Sequence, residues 1–281
     1  MKWKIKNRIF KIDRPFIMGI LNVTPDSFFD GGKYFDIDKA VERGIEIEKE
    51  GADIIDIGGV STRPGSSPIN EDEEISRVIP IIKILSKKLK IPISCDTFRS
   101  KVAEKALENG AEIINDISSF SIDERLLDVI KSSDCGYILM HMKGIPETMQ
   151  INPYYENVIE EISKFFENKI EIMRENKIDI ERVVIDPGIG FGKRVVDNLE
   201  ILKNLNKFKK FERPILIGTS RKSFIGKILN LEVEERLEPT IATNVYAFLK
   251  GANIFRVHDV KEVKRGIDII FKIEKNEDIV Y

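Results

Sequence analysis

The residues with the most chemical potential recur at one kind of position, the polar end of a short apolar run: Asn22, Asp56, Asp96, Asn115, His141, Asp186, Ser220 with Lys222, and Arg256 with His258. They divide by type into two sets. Asp56, Asp96 and Asp186, set among neutral amides, are acceptors suited to a ligand with several N–H donors, and a buried carboxylate such as Asp186 accepts two parallel bonds that fix a ring's orientation. Arg63, Arg256 and His258 suit an anion. A heterocycle with amino and ring N–H groups, attached to a phosphate, would satisfy both sets.

Something must bring residues so far apart in the chain together. Eight apolar runs precede them, at 16–23, 54–59, 92–97, 113–118, 137–142, 183–188, 214–220 and 254–259, with helical patterns between. Their near-continuous Ile, Val and Leu content suits parallel strands covered on both faces. Eight strands with intervening helices predict an α/β fold, a closed TIM-type (β/α)8 barrel, because doubly wound sheets more often have five or six. In a barrel the C-terminal strand ends converge on one face, so the scattered residues line one pocket. The alternative, that each polar residue merely caps the next helix, would have to hold at every strand.

A weak internal repeat supports the barrel. EGADIIDI (50–57), NGAEIINDI (109–117) and KGANIFRVHDV (250–260) each place a glycine where a helix ends and a strand starts almost at once. The opening MKWKIKNRIFKIDRP alternates apolar and polar residues and predicts a hairpin over 1–14, with the barrel over 15–274 as a single domain of the 281-residue chain.

Bulk properties narrow the partners. With 45 basic and 47 acidic side chains the net charge is −2, which gives no field to collect nucleic acid or anionic lipid, so an anion must be caught locally. No run approaches the roughly 18 apolar residues of a membrane span. Cys95 and Cys135 have no ligand-type spacing, which argues against a disulfide framework or zinc site and points to a reducing cytoplasm.

The loops carry matching cues. NVTPDSFFDGG (22–32) is rich in turn formers and long enough to close over a ligand, and GGVSTRPGSS (58–67) sets Thr62 and Arg63 where a carboxylate or phosphate could be held. DPGIGFGK (186–193) lets backbone approach a flat ligand, with Phe191 as a wall, but lacks both the dinucleotide fingerprint and the P-loop ending.

Taken in order, MGILNVTPDSFFDGG, DIGGVSTRPG, DPGIGFGK, GTSRKSFIG and FRVHDV closely resemble the dihydropteroate synthase family over residues 14–272. The resemblance implies condensation of 6-hydroxymethyl-7,8-dihydropterin pyrophosphate with p-aminobenzoate, giving 7,8-dihydropteroate and pyrophosphate for folate synthesis. It implies pterin contacts at Asp96, Asn115, Asp186 and Lys222, with Arg256 over the ring and Ile117, Met140 and Phe191 as walls. Asn22 matches a Mg2+ ligand, Arg63, Arg256 and His258 match pyrophosphate contacts, and Phe28, Thr62, Pro64 and Ser223 match residues around the aminobenzoate. Asp96, Lys222, Arg256 and His258 carry the chemistry in this account, and a homodimer of late barrel helices is implied.

Several of these side chains have a competing role. Lys222 could form a Schiff base, which needs a burial-depressed pKa; the neighbouring Arg221 and the lack of an implied carbonyl substrate argue against it. His258 could be a core histidine and Asn22 a turn cap, while Asp56 could bind the ring, orient Arg63 or cap the next turn. His141, between Met140 and Met142, suggests packing. Val60 stands where many family members carry Glu, which alters the loop's charge. A pterin-dependent methyltransferase would share the barrel and ring pocket without needing Lys222, Arg256 and His258 around an anion. A catalytically silent pterin-binding paralogue is the other alternative.

Overall fold

The computed structural model describes residues 1–24, 37–60 and 69–275. Phe28, Thr62, Arg63 and Pro64 lie outside these residues. Two short strands, β1 (Lys2–Ile5) and β2 (Arg8–Lys11), form the expected antiparallel hairpin. Eight parallel strands follow: β3 (Phe16–Asn22), β4 (Ile54–Gly58), β5 (Ile93–Asp96), β6 (Ile113–Asp116), β7 (Gly136–Met140), β8 (Val183–Asp186), β9 (Leu216–Ile217) and β10 (Ile254–Val257). They pair in the order β8-β7-β6-β5-β4-β3-β10-β9. An Ile185–Ile215 bridge, with Ile185 N donating to Pro214 O at 3.0 Å, joins the two outer strands and closes the barrel.

Helices return the chain from each strand end to the next strand start among the described residues: α1 (Ile37–Lys49), α2 (Glu71–Leu85), α3 (Ser100–Glu108), α4 (Leu126–Ser132), α5 (Val158–Glu175), α6 (Val195–Lys203), α7 (Ser223–Leu229), α8 (Leu237–Leu249) and α9 (Val260–Lys275). Two of them, α7 and α8, follow β9. The glycines of the internal repeat behave as expected, with φ of 99° at Gly51, 113° at Gly110 and 104° at Gly251. These values suit glycine, and each lets a helix end and a strand begin within a few residues.

Period-two alternation explains which side chains reach the pocket. Ile17, Leu21, Ile55 and Ile57 face outward into the main core beneath the helices, whereas Met18, Ile54, Ile113, Ile138, Val184, Leu216 and Ile254 fill the barrel interior. Asp56, Asn115, Asp186 and Arg256 each lie two residues beyond an interior residue and so share its inward direction. Several strands are shorter than their apolar runs predict. Pro92 and Pro214 have no N–H to donate, and after β9 the chain turns, with Lys222 N donating to Thr219 O at 3.2 Å. Ser220, Lys222 and His258 therefore project from loops beyond the strands.

The hairpin seals the opposite end. Trp3 and Ile5 are fully buried in the interior cluster, and Trp3 Nε1 donates to Arg182 O at 2.8 Å. Gly136 leaves room for this plug, since a Cβ there would lie 3.0 Å from Ile5 and 3.2 Å from Trp3. Trp3→Ala should lower unfolding stability by about 3–5 kcal/mol, measured by chemical denaturation followed by circular dichroism. A loss below about 1 kcal/mol would show that the hairpin is not a structural floor.

Candidate active site

Above the apolar floor the barrel mouth is charged. Arg256, on β10, spans it: Nε donates to Asp56 Oδ2 at 2.6 Å and Nη2 to Asp96 Oδ2 at 2.5 Å. Asn115 Nδ2 also donates to Asp56 Oδ2, at 3.0 Å. One guanidinium thus ties β10 to β4 and β5, and Asp56 ties both to β6. Asp56 is fully buried, while about a fifth of the Asp96 and Arg256 side chains stays exposed (19% and 20%).

Burial shifts Asp96, Asp186 and Lys222 toward their neutral forms. It pushes the Asp96 carboxyl up to about 7 against the pull of Arg256, with Asp56 and Glu74 pushing the same way. Asp186, 5% exposed, is pushed up to about 6 by burial, opposed by the 2.7 Å hydrogen bond from Gly188 N and by Lys222, Lys193 and Arg256. Lys222 is brought down to about 8 by burial and by Arg256. Arg256 alone moves toward its charged form, because Asp56 and Asp96 outweigh its burial.

Beside the acids lies an apolar wall. Ile117, Met140, Met149 and Phe191 form a small buried cluster separate from the main core, with Phe98 and Met142 packed against it. The Lys222 ammonium sits 4.2 Å from the centroid of the Phe191 ring. Gly190 keeps the loop close, since a Cβ there would lie 3.3 Å from Lys222 Cδ. An aromatic wall beside a cation and carboxylate acceptors matches a flat ring with several N–H groups.

The anion-directed residues meet on the other side. Asn22 Nδ2 lies 3.4 Å from His258 Nε2, and His258 Nδ1 lies 3.0 Å from Ser220 Oγ. An amide nitrogen can only donate, so Nε2 accepts and Nδ1 carries the proton to Ser220. Ser220 Oγ also accepts from His258 N at 3.2 Å. Ser223, the first residue of α7, is exposed at a neighbouring groove shared with Gly190 and Lys227.

His141 packs as its methionine neighbours suggest, whereas Lys222, Asp56 and Lys193 add to or depart from what the sequence implies. His141 does not line the mouth: it follows the inward Met140, is 5% exposed, and packs edge-on to Phe165 of α5 at 4.9 Å. Lys222 does have a burial-lowered pKa, and Arg221 does not attend it, because a φ of 53° turns Arg221 onto Asp259 through bonds of 2.9 and 2.8 Å. Of the two arguments against a Schiff base, only the missing carbonyl substrate stands. Asp56 supports Arg256 and Asn115; its place two residues after Ile54 was a signal for this. Lys193, 4% exposed, gave no such signal, since a lysine after a glycine-rich loop reads as surface.

The fold and the mouth together define a pterin-binding barrel enzyme, and a family model described as pterin binding enzyme matches residues 18–258. A dihydropteroate synthase of Clostridium beijerinckii is 48% identical over 265 residues, covering 94% of this chain and 96% of that protein. The Yersinia pestis dihydropteroate synthase, solved with a sulfonamide drug, superposes with a TM-score of 0.92 at 38% identity, covering 99% of this chain and 100% of that one. The Xanthomonas albilineans enzyme in complex with 7,8-dihydropteroate superposes with a TM-score of 0.88 at 35% identity, covering 98% and 99%. The chain belongs to the dihydropteroate synthase family.

Asp186 makes a specific prediction about the protein free of ligand. Its folded pKa is raised, so its contribution to stability is complete below about pH 4 and is lost as pH rises through about 6. Asp186→Asn, which keeps an acceptor for Gly188 N, should therefore be more stable than wild type by roughly 2–3 kcal/mol at pH 8 and nearly equal to it at pH 4. Melting curves at the two pH values check this; a variant less stable than wild type at pH 8 would contradict the burial argument.

Proposed function

We infer that the chain catalyses the dihydropteroate synthase reaction, joining 6-hydroxymethyl-7,8-dihydropterin pyrophosphate to p-aminobenzoate and releasing pyrophosphate, a step of folate synthesis. The observation that carries the reading is the apolar wall of Phe191, Met140 and Ile117 at the same barrel mouth as the buried Asp186 and the Asp96–Arg256 pair. In this account Asp186 accepts two N–H bonds from the pterin, Asn115 and Asp96 hold its other polar edge, and Lys222 and Arg256 lie against the ring. That the Xanthomonas albilineans relative was solved with 7,8-dihydropteroate supports placing the same product here.

The C–O bond between the pterin methylene and the pyrophosphate breaks, its electron pair leaving with the pyrophosphate. The aminobenzoate nitrogen then forms the new C–N bond and loses a proton. An aromatic amine is already neutral near pH 7, so the protein's work lies in helping the anion leave and sheltering the methylene cation. Arg256 and His258, with Arg63 outside the described residues, stabilise the developing negative charge, and ionised Asp96 stabilises the cation. The displacement is dissociative, without a covalent enzyme intermediate. On this reading Ser223 contributes to the aminobenzoate site with Phe28, Thr62 and Pro64.

Mg2+ fits the donors available. Among the described residues no group of three or more His, Cys, Asp or Glu side chains could hold a metal. Asn22, whose Nδ2 is turned to His258, offers one amide oxygen, which suits an ion that takes most of its ligands from water and substrate phosphate. Such an ion supplies charge neutralisation on the departing pyrophosphate. We place the enzyme in the cytoplasm, where Cys95 and Cys135, both buried free thiols, remain reduced. No described helix is long and apolar enough to cross a membrane. Exposed Ile228, Leu229, Tyr246 and Leu249 on α7 and α8 support a homodimer contact, which sedimentation as a single chain would remove from the reading.

Purified protein given both substrates and Mg2+ should form 7,8-dihydropteroate, and should do so more slowly without Mg2+. Lys222→Ala should weaken pterin binding by roughly tenfold or more, whereas His258→Ala should mainly slow turnover. Pterin binding without product formation would instead favour a silent pterin-binding module.

A further inference from the structure

The loop after β8 lies flush on the exit of β7. A Cβ on Gly188 would fall 2.0 Å from His141 O and one on Gly192 would fall 2.1 Å from Lys143 O, and φ is 70° and 63° at the two glycines. Any side chain there would force the segments apart. Between them runs Lys193, whose ammonium has three hydrogens and finds three acceptors: His141 Nδ1 at 3.0 Å, His141 O at 3.2 Å and Phe191 O at 3.0 Å. All three hydrogens are used on the two strand exits, and none goes to a carboxylate.

A buried cation bonded only to neutral acceptors is costly, so its placement calls for a function. Burial is the main influence on it and brings its pKa down to about 7; Asp186 and Asp197 favour its charge, while Lys222 and Lys143 oppose it. His141 presents an unprotonated Nδ1, and its pKa is held well below the usual histidine value by burial and by Lys193 and Lys143. Lys193 is therefore bonded to the carbonyl of the wall residue Phe191 and to the carbonyl of His141, whose N donates to Asp186 O at 2.9 Å, and its charge favours the ionised Asp186 carboxyl.

We infer that Lys193 is a positioning residue of the ring pocket: it pins the Phe191 backbone to the end of β7 and supplies a positive charge that favours ionised Asp186, so that this carboxyl ionises as a ring with N–H donors binds. The inference rests on the pterin reading of the mouth and deepens it. Asp186 must be ionised to accept both N–H bonds. Removing that charge destabilises the carboxylate, raises its pKa and moves the acidic limb of activity to higher pH.

The test is kcat/KM for the pterin pyrophosphate against pH, with KM for both substrates, in wild type, Lys193→Met and Lys193→Gln. Lys193→Met should raise the pterin KM roughly tenfold, leave the aminobenzoate KM within about twofold, and shift the acidic limb up by about one pH unit. Lys193→Gln keeps donors for the carbonyls but not the charge, and should shift the limb with a smaller change in KM. A Lys193→Met protein whose limb stays in place, or whose two KM values rise together, would overturn the inference. Should that variant not fold, Lys193→Gln decides alone, and an unmoved limb overturns it equally. Wild type is measured in the same assay; if it makes no dihydropteroate, the proposed reaction fails rather than the role of Lys193.

Discussion

Charge taken out of water must be paired or neutralised, and the barrel mouth is organised around that constraint. Asp56, fully buried on β4, is tolerable because Arg256 and Asn115 both bond its Oδ2. The same guanidinium reaches Asp96, so one side chain from β10 serves two acids from β4 and β5. One positive charge cannot fully balance both, and the less completely paired groups drift toward neutrality, with Asp186 and Asp96 raised and Lys222 and Lys193 lowered. By themselves Asp96, Asp186 and Lys222 are held toward their neutral forms. A ligand that brings N–H donors to the acids and an anion to the cations supplies the missing partners, and this differential between free and bound states gives the site its selectivity.

The floor follows the opposite principle. Trp3, Ile5, Met18 and the inward aliphatic side chains fill the interior as a dry core that seeks no partner. The same strands run from this layer into the polar one, so the precision of the mouth derives from packing two residues below it. Asp186 marks the boundary: one step past Ile185, which packs outward, and two past Val184, which packs inward, its carboxylate accepts only Gly188 N among the described hydrogen bonds. On the proposed reading, stability given up there is the counterpart of an acceptor held ready for the ring.

Much of this was legible in the chain. The alternation of apolar and polar residues, the glycines at 51, 110 and 251, and the polar ends of the strands are local signals, because parity and turn chemistry act over a few residues. That is why the expected convergence of the strand ends is visible where Asp96, Asn115 and Arg256 meet around Asp56. His141 also ends an apolar run, but its flanking methionines suggest packing, and parity counted from the inward Ile138 and Met140 puts it outside. The ties from Arg256 to Asp56 and Asp96 span residues 200 and 160 positions apart, and no local pattern encodes them. Lys193 was hidden for a similar reason, since its burial depends on two glycines letting one loop lie flush on another strand's exit.

Isothermal titration of the pterin ring, without its pyrophosphate, in buffers of different ionisation enthalpy counts protons exchanged on binding and so tests the burial-raised acids of the mouth most directly. Near pH 6, where Asp186 is about half protonated, binding should release a fraction of a proton, and the release should vanish by pH 8. Binding without release at pH 6, or with proton uptake, would contradict the account.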